Sequence, residues 1–361
     1  MQQYRVGIIG ATGMVGQRFA LLLKDHPWFK VTALAASSRS AGRTYREAVD
    51  KRWAFPQTPI PDYIADMTVQ DADDVQAIAA QVDFVFCAVD MKKDEILALE
   101  ERYAKAEVPV VSNNSANRWT PDVPMMIPEI NGDHAQVILA QRKRLGTQHG
   151  FIAVKPNCSI QSYVPALWPL ADFAPEKLIV CTYQAISGAG KTFETWPEMV
   201  DNVIPYIGGE DEKSEREPLK IFGTVADGQI VPASTPSISA QCLRVACADG
   251  HMAAVSVKIG KKPTKEQILE RWQNAVPATA GLDLPSSPVS FLHYFEDPSR
   301  PQTRLDRDFE NGMGITIGRL REDVVFDYKF VCLSHNTVRG AAGGGVLSAE
   351  FLCKKGYIKA K

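Results

Sequence analysis

A cysteine that can be held as a thiolate is able to form and break an acyl bond. One of the seven cysteines stands apart by position. Lys155-Pro156-Asn157-Cys158-Ser159-Ile160-Gln161 joins an apolar strand pattern to a helical one. A helix dipole favours a thiolate at its N-terminus, so this placement predicts a lowered thiol pKa and a nucleophile. Taken alone, packing accounts for such a cysteine equally well. The other six (Cys87, Cys181, Cys242, Cys247, Cys332 and Cys353) fall mostly inside strand or helix patterns, where cysteine acts as a small hydrophobe.

A nucleophile of this kind needs a titrating partner. His251 opens a strand pattern after Arg244-Val245-Ala246-Cys247-Ala248-Asp249-Gly250. Arg244 and His251 therefore flank a short connection. A carboxylate-binding guanidinium and an imidazole can point from there into one pocket. His26, His134, His149, His293 and His335 have polar or loop surroundings and no distinguishing neighbours.

A second constellation lies at the start of the chain. Gly10-Ala11-Thr12-Gly13-Met14-Val15-Gly16 separates a β-rich run from a helical one. Glycines in such a turn allow a tight reversal and close backbone approach to a pyrophosphate, which the helix N-terminus then holds. Beyond the next strand stands Ala35-Ala36-Ser37-Ser38-Arg39-Ser40, without the acid that would hold the ribose hydroxyls of NAD. Ser37, Ser38 and Arg39 suit a 2′-phosphate instead, so the expected cofactor is NADP.

The elements that must position these residues can be read from periodicity. Strands are expected at Tyr4–Ile9, Lys30–Ala36, Asp83–Val89, Val108–Val111 and Phe151–Val154. Helices at Val15–Leu23 and Lys93–Lys105 alternate with them. This alternation predicts a doubly wound parallel sheet of Rossmann type. After it come a helix over Ser159–Leu170 and strands at Leu178–Tyr183, Met252–Ile259, Gly314–Arg319 and Val324–Leu333, members of a mixed sheet in an α+β domain. The stretch 281–306, rich in proline, serine and charge, reads as an excursion, and Ala341–Lys354 as a closing helix. The expected organisation is a cofactor domain over 1–155, completed by 338–361, and a catalytic and dimerisation domain over 156–337.

Composition excludes several classes. A length of 361 residues favours two domains. A net charge of −2 gives no reason to expect nucleic acid or an anionic membrane as partner. No apolar run reaches the roughly 18 residues of a transmembrane span. Met1 to Arg5 runs into strand without the basic and apolar regions of a signal peptide. Dispersed, odd-numbered cysteines point to a reducing, cytoplasmic setting, and the dispersed histidines give no metal-ligand spacing.

The segments GATGMVG, SSRSAG, SNNSANR, PNCSIQ, TYQAISGAG, EPLK, RVACADGH and NTVRGAAGGGVL occur in the order found in aspartate-semialdehyde dehydrogenases. The chain resembles the archaeal and fungal branch of that family over essentially its whole length. The resemblance implies Cys158 as acyl acceptor, His251 as general acid/base and Gln184 as the residue that orients the acyl-enzyme. It implies Arg244 for the substrate α-carboxylate, Glu217 for its amine, and Arg118 and Lys220 for phosphate. Asn157 would bond phosphate or the oxyanion. Gly188 and Asn336 would line the nicotinamide side of the cofactor site, with Gly10, Thr12, Gly13, Met14, Val15 and Gly16 at the pyrophosphate. One departure is Cys87-Ala88-Val89-Asp90, where many members carry a Ser-Ala-Leu-Pro type of turn.

The implied reaction is the reversible NADPH-dependent reductive dephosphorylation of L-aspartyl 4-phosphate to L-aspartate 4-semialdehyde. In the family it serves lysine, threonine and methionine biosynthesis. Cys158 would take the acyl group, and His251 would protonate the alkoxide left by hydride addition. The implied assembly is a homodimer or homotetramer. Relatives using the same thioester chemistry on malonyl-CoA or N-acetylglutamyl phosphate are the alternatives within the superfamily. A non-catalytic NADP sensor is the alternative outside it, and it has no need of Cys158, Gln184, Arg244 and His251 together.

Overall fold

A computed structural model describes residues 3–361. Met1 and Gln2, where the expectation about the start of the chain begins, lie outside the described residues. The first sheet takes β1 (Tyr4–Ile9), β2 (Phe29–Ala36), β3 (Val69–Asp71), β4 (Phe84–Cys87), β5 (Val110–Ser112) and β6 (Ile152–Val154) in the order β3-β2-β1-β4-β5-β6. Every neighbouring pair is parallel. That order reverses between β1 and β4, which opens a crevice at their carboxyl ends. Val6, Ile8, Val85 and Phe86 are wholly buried, as expected of strands covered on both faces.

The second sheet runs β13-β14-β15-β12-β7-β11-β8. Its members are β7 (Pro175–Gln184), β8 (Val203–Ile204), β11 (Ser237–Val245), β12 (His251–Ile259), β13 (Leu292–Phe295), β14 (Ile315–Glu322) and β15 (Tyr328–Ser334). It is mixed: β7 pairs parallel with β11 and antiparallel with β12. A separate hairpin joins β9 (Thr224–Ala226) to β10 (Gln229–Val231). The helix Gly343–Lys354 leaves the second sheet and is buried along nearly all its length among elements of the first.

Two expectations need correction. The helix expected over Ser159–Leu170 is a series of short turns at Ser159–Gln161, Val164–Leu167 and Trp168–Phe173. Pro165 and Pro169 remove amide donors that a continuous helix requires. The strand expected from Val324 begins only at Tyr328, with Val324 and Val325 exposed in the turn before it. Conversely, β13 lies within the stretch read as an excursion, and β11 was not expected from the sequence.

Candidate active site

Cys158 lies just past the end of β6, where the first sheet hands the chain to the second. It precedes a turn of only three residues, so the expected stabilisation by a helix dipole is small. Burial pushes its thiol above the usual range and the carboxylate of Glu210 adds to this; Lys155, Arg118 and Arg244 pull the other way. The lowered thiol pKa read from the sequence is therefore not what the local fold supplies. The thiol depends on the surrounding cations.

β12 and β7 bring the other groups to it. His251 begins β12 and is fully buried. Its Nδ1 accepts the backbone N–H of Ala185 at 3.0 Å. Burial, then the charge of Arg244, pushes its pKa down to about 3. A neutral ring whose Nδ1 accepts must carry its proton on Nε2. Nε2 has no hydrogen-bond partner among the described residues. Arg244, near the end of β11, donates from Nη1 to the Ala185 carbonyl at 2.7 Å. A Cβ at Gly188 would lie 2.8 Å from that Nη1 and 2.9 Å from His251 Nε2. Only glycine leaves both groups open to one point.

Around this point runs a polar network. Asn157 Nδ2 donates to both oxygens of Glu210 at 3.0 Å, and Gln184 Nε2 to Glu210 Oε2 at 3.2 Å. Lys213 Nζ reaches Glu210 Oε1 at 2.8 Å while keeping a third of its side chain exposed. Its charge and hydrogen bond, together with the two amides, outweigh burial and hold Glu210 below the usual carboxylate range. The sequence reading named neither Glu210 nor Lys213. The available signal was their place on one face of the acidic helix Glu210–Ile221, seven residues before Glu217 and Lys220.

Glu217 and Lys220 themselves are turned inward. Glu217 bonds Arg118 Nη1 at 2.8 Å and the Asn157 backbone N–H at 2.6 Å. Lys220 Nζ donates to the carbonyls of Arg118, Thr120 and Val123 at 2.7, 2.9 and 3.0 Å, which uses all three of its donors. Here Lys220 clamps the Arg118 loop with its three donors, and each Glu217 oxygen accepts one hydrogen bond while keeping a second lone pair. The loop is held from its other side by Glu100, fully buried, which accepts from Ser112, Asn114 and Asn117. Glu100 too was missed by sequence reasoning. Arg118 keeps one N–H of Nη1 and one of Nη2 unassigned beside its bonds to Lys155, Glu217 and Asn113.

The glycine turn lies across the crevice. Gly10 has φ +90°, and a Cβ there would stand 2.3 Å from the Ala88 carbonyl oxygen. This puts the atypical Cys87–Asp90 segment against the turn. A Cβ at Gly16 would meet the Gly10 oxygen at 2.2 Å, so this glycine packs the helix Met14–Leu22 onto the strand. Gly13 is exposed and has nothing nearer than 3.6 Å, leaving the helix start open to an anion. Thr12 is fixed through its carbonyl by Gln17, which also ties the turn to Arg52 and Ala54. Ser37, Ser38 and Arg39 are all exposed at the end of β2. These features fit a phosphorylated dinucleotide.

From the turn, a cavity of about 320 Å³ leads toward the second sheet, lined by Met14, Phe55, Ser187, Lys191 and Asp249 among others. Asn336 secures its far side, accepting from the Gly250 N–H and donating to Ser187, both at 2.8 Å.

Two family models match the chain: the NAD binding domain of semialdehyde dehydrogenases over residues 5–138 and their dimerisation domain over 167–339. The aspartate-semialdehyde dehydrogenase of Archaeoglobus fulgidus is 42% identical over 99% of this chain and 100% of its own. That of Schizosaccharomyces pombe is 42% identical over 98% and 99%. The crystal structure of the Candida albicans aspartate-semialdehyde dehydrogenase with NADP aligns at a TM-score of 0.88 with 37% identity, covering 99% of this chain and 100% of that one. Identity of this extent, across both domains, means that the chain belongs to the aspartate-semialdehyde dehydrogenase family.

Proposed function

We propose that this enzyme carries out the NADPH-dependent reductive dephosphorylation of L-aspartyl 4-phosphate, reversibly, through a thioester on Cys158. The activity follows from family membership over nearly the full length. The residue roles rest on one observation: Arg244 Nη1 and His251 Nε2 converge on the space that Gly188 keeps open, and the charges of Glu210 and Arg244 bear on Cys158.

Arg244 receives the substrate α-carboxylate and Glu210 its ammonium, a guanidinium and a carboxylate whose charges both act on the Cys158 thiol. Arg118 and Lys213, each with donors to spare, hold the departing phosphate. The Cys158 thiolate attacks the acyl carbon, and phosphate leaves as the thioester forms. Asn157 and Gln184 keep the acyl group oriented through their shared hold on Glu210. Bound NADPH supplies the hydride that reduces the thioester. As the carbonyl oxygen becomes an alkoxide, His251 offers it the Nε2–H as a hydrogen bond. Collapse expels the thiolate and releases L-aspartate 4-semialdehyde.

Ser37, Ser38 and Arg39 would hold the 2′-phosphate, with the glycine turn at the pyrophosphate and Gly188 and Asn336 at the nicotinamide end. The division into a cofactor domain over 1–155 with 338–361 and a catalytic domain over 156–337 is supported by the two separate sheets. Ile179, Tyr183, Val200, Val203 and Tyr206 leave apolar surface around β7 and β8, which supports a homodimer or a pair of dimers. Seven free thiols support a reducing, cytoplasmic setting.

The test is an assay of purified enzyme with phosphate, NADP and L-aspartate 4-semialdehyde against malonyl-CoA with NADPH. Turnover only of the malonyl substrate would overturn the proposal. Cys158→Ser is expected to bind NADP and lose nearly all turnover, and substantial residual activity would refute the covalent route.

A further inference from the structure

Arg339 is the largest wholly buried side chain among the described residues. Its fork meets Glu129, equally buried, through Nη1 to Oε1 and through Nη2 to Oε2 at 2.9 Å. Its Nε donates to Gln161 Oε1 at 3.3 Å, and its guanidinium carbon lies over the Phe291 ring, 5.0 Å from the centroid. The reaction steps use none of these groups. Taking two charges out of water costs about as much as their attraction returns, so such a pair contributes little net stability. What a bidentate fork supplies is a fixed distance and a fixed plane.

The partners of Arg339 bracket the nucleophile. Glu129 lies in the first turn of the short helix Pro128–Asn131. The segment before that helix runs along β6: Val154 donates to the Pro124 carbonyl and Met126 to the Val154 carbonyl, both at 2.9 Å. Val154 stands four residues before Cys158, and Gln161 three residues after it. The guanidinium therefore joins the strand that delivers Cys158 to the turn that leads the chain away. The next residue, Gly340, rests on the cysteine itself, since a Cβ there would lie 2.9 Å from Cys158 Cβ. Successive residues of a helical turn point about 100° apart, so Arg339 can reach Gln161 while the Gly340 backbone covers Cys158. The turn Val338–Ala342 that carries both is wound as a π-helix, a form frequent at functional sites.

We infer that Arg339 is a positioning residue for Cys158, clamping the chain on both sides of the nucleophile through Glu129 and Gln161. The inference rests on the reading of Cys158 as nucleophile. The clamp takes no part in bond making. It holds the sulfur where the acyl carbon and the hydride arrive.

Such placement has a large kinetic weight. Reacting atoms must stand about 3–3.5 Å apart with aligned orbitals, and a misplacement of about 1 Å costs about 10²-fold in rate. Gln184, Arg244 and His251 come from β7, β11 and β12, and the glycine turn follows β1. The side-chain hydrogen bonds of Arg339 go to Glu129 and Gln161 and to none of these groups. Loosening the clamp thus shifts Cys158 relative to substrate and cofactor while leaving the groups that bind them in place.

The experiment compares full-length wild type with Gln161→Met, Arg339→Met and the double variant Arg339→Met with Glu129→Leu. Each is followed by saturation kinetics with L-aspartate 4-semialdehyde, fluorescence titration with NADP, and melting temperature. Gln161→Met removes the acceptor of the Arg339 Nε–H at nearly constant bulk. Its kcat is expected to fall about 10²-fold, with KM and NADP binding unchanged. Arg339→Met leaves Glu129 buried without a counter-charge, so melting temperature and kcat should both drop. In the double variant both charges go together: the melting temperature should return to near that of wild type, while kcat stays about 10²-fold down. Recovery of kcat along with stability would mean that the pair only holds the fold, and would overturn the inference. Should the double variant fail to fold, Gln161→Met decides, since wild-type kcat there is equally fatal. Turnover that survives in Cys158→Ser counts against the nucleophile; an inactive Cys158→Ser beside a fully active Gln161→Met counts against the clamp alone.

Discussion

The Nδ1 of His251 accepts the backbone N–H of Ala185 at 3.0 Å, which fixes which face of the ring meets the substrate. With Nδ1 occupied, Nε2 carries the proton and acts as a donor toward the site. His251→Ala removes that donor and is expected to lower kcat by about 10²–10⁴-fold. His251→Gln can restore an N–H at a similar distance and should recover part of the loss. Saturation kinetics on both variants check this. Equal loss in the two would show that the N–H donor is not what matters.

Gly340 offers a test of nucleophile placement. A glycine inside a helical segment normally costs about 0.5–1 kcal/mol relative to alanine, so Gly340→Ala would stabilise by propensity alone. Here the added Cβ would meet Cys158 Cβ at 2.9 Å and its carbonyl oxygen at 3.3 Å, and Cys158 has backbone on both sides. Displacing the sulfur by a fraction of an ångström is expected to cost about 10²-fold in kcat. NADP binding, measured by titration, should be unchanged. Wild-type kcat would show that the contact relaxes harmlessly.

Glu210 and Glu217 lie two turns apart on one helix and separate substrate binding from stability. Glu217→Ala leaves Arg118 buried without its carboxylate, and breaking such a pair costs about 3–5 kcal/mol. Glu210→Gln keeps its amide partners in place and should raise KM for L-aspartate 4-semialdehyde with little change in urea unfolding. The reverse pattern, stability lost at Glu210 and KM raised at Glu217, would return the amine to Glu217.

Much of the fold was legible because period and burial agree. The strand at Tyr4–Ile9 and the helix Lys93–Lys105 lie where their patterns place them. The run Ser159–Leu170 misled because its apolar periodicity is helical while Pro165 and Pro169 forbid the hydrogen bonds. β11 was hidden because its alternation is weak: Ser237, Ser239 and Gln241 are exposed while the intervening Ile238 and Ala240 are only half-buried. Within the candidate site, the sequence places Cys158 after a strand and Arg244 and His251 on either side of a short connection, and the structure has them there. Glu210 could not be told from Glu217, since a helical face ranks neither. Only the tertiary partners, Arg118 for one and Lys213 for the other, distinguish them.

Arg39 is exposed at the end of β2, with no acid in the segment 35–40. A charge-assisted hydrogen bond to phosphate contributes about 1.5–3 kcal/mol. Arg39→Ala should therefore weaken NADP binding by about 10–100-fold and leave NAD, which lacks the 2′-phosphate, nearly unaffected. Fluorescence titration with both cofactors gives the ratio. Equal weakening of the two would mean that Arg39 supports the loop and does not read the phosphate.

Acid stability should carry the signature of histidines buried neutral. His335 is pushed down to about 4 and His251 to about 3, in both cases first by burial. Their unfolded values lie near 6.5, so between about pH 6.5 and 4 the unfolded chain binds protons that the folded one does not. The stability is thus fully present above about pH 6.5 and falls as pH drops, by up to about 1.4 kcal/mol per unit for each histidine. The window lies mostly above that of the carboxylates, whose depressed values at Glu210 and Asp306 act lower still. His335→Gln can keep an acceptor toward the N–H groups of Thr337 and Val338 while removing one titration. Urea midpoints from pH about 7.5 to 4.5, at fixed protein concentration, should fall less steeply in this variant. An unchanged slope would mean that His335 gains its proton without unfolding, through the carboxylate of Asp308 at 3.7 Å.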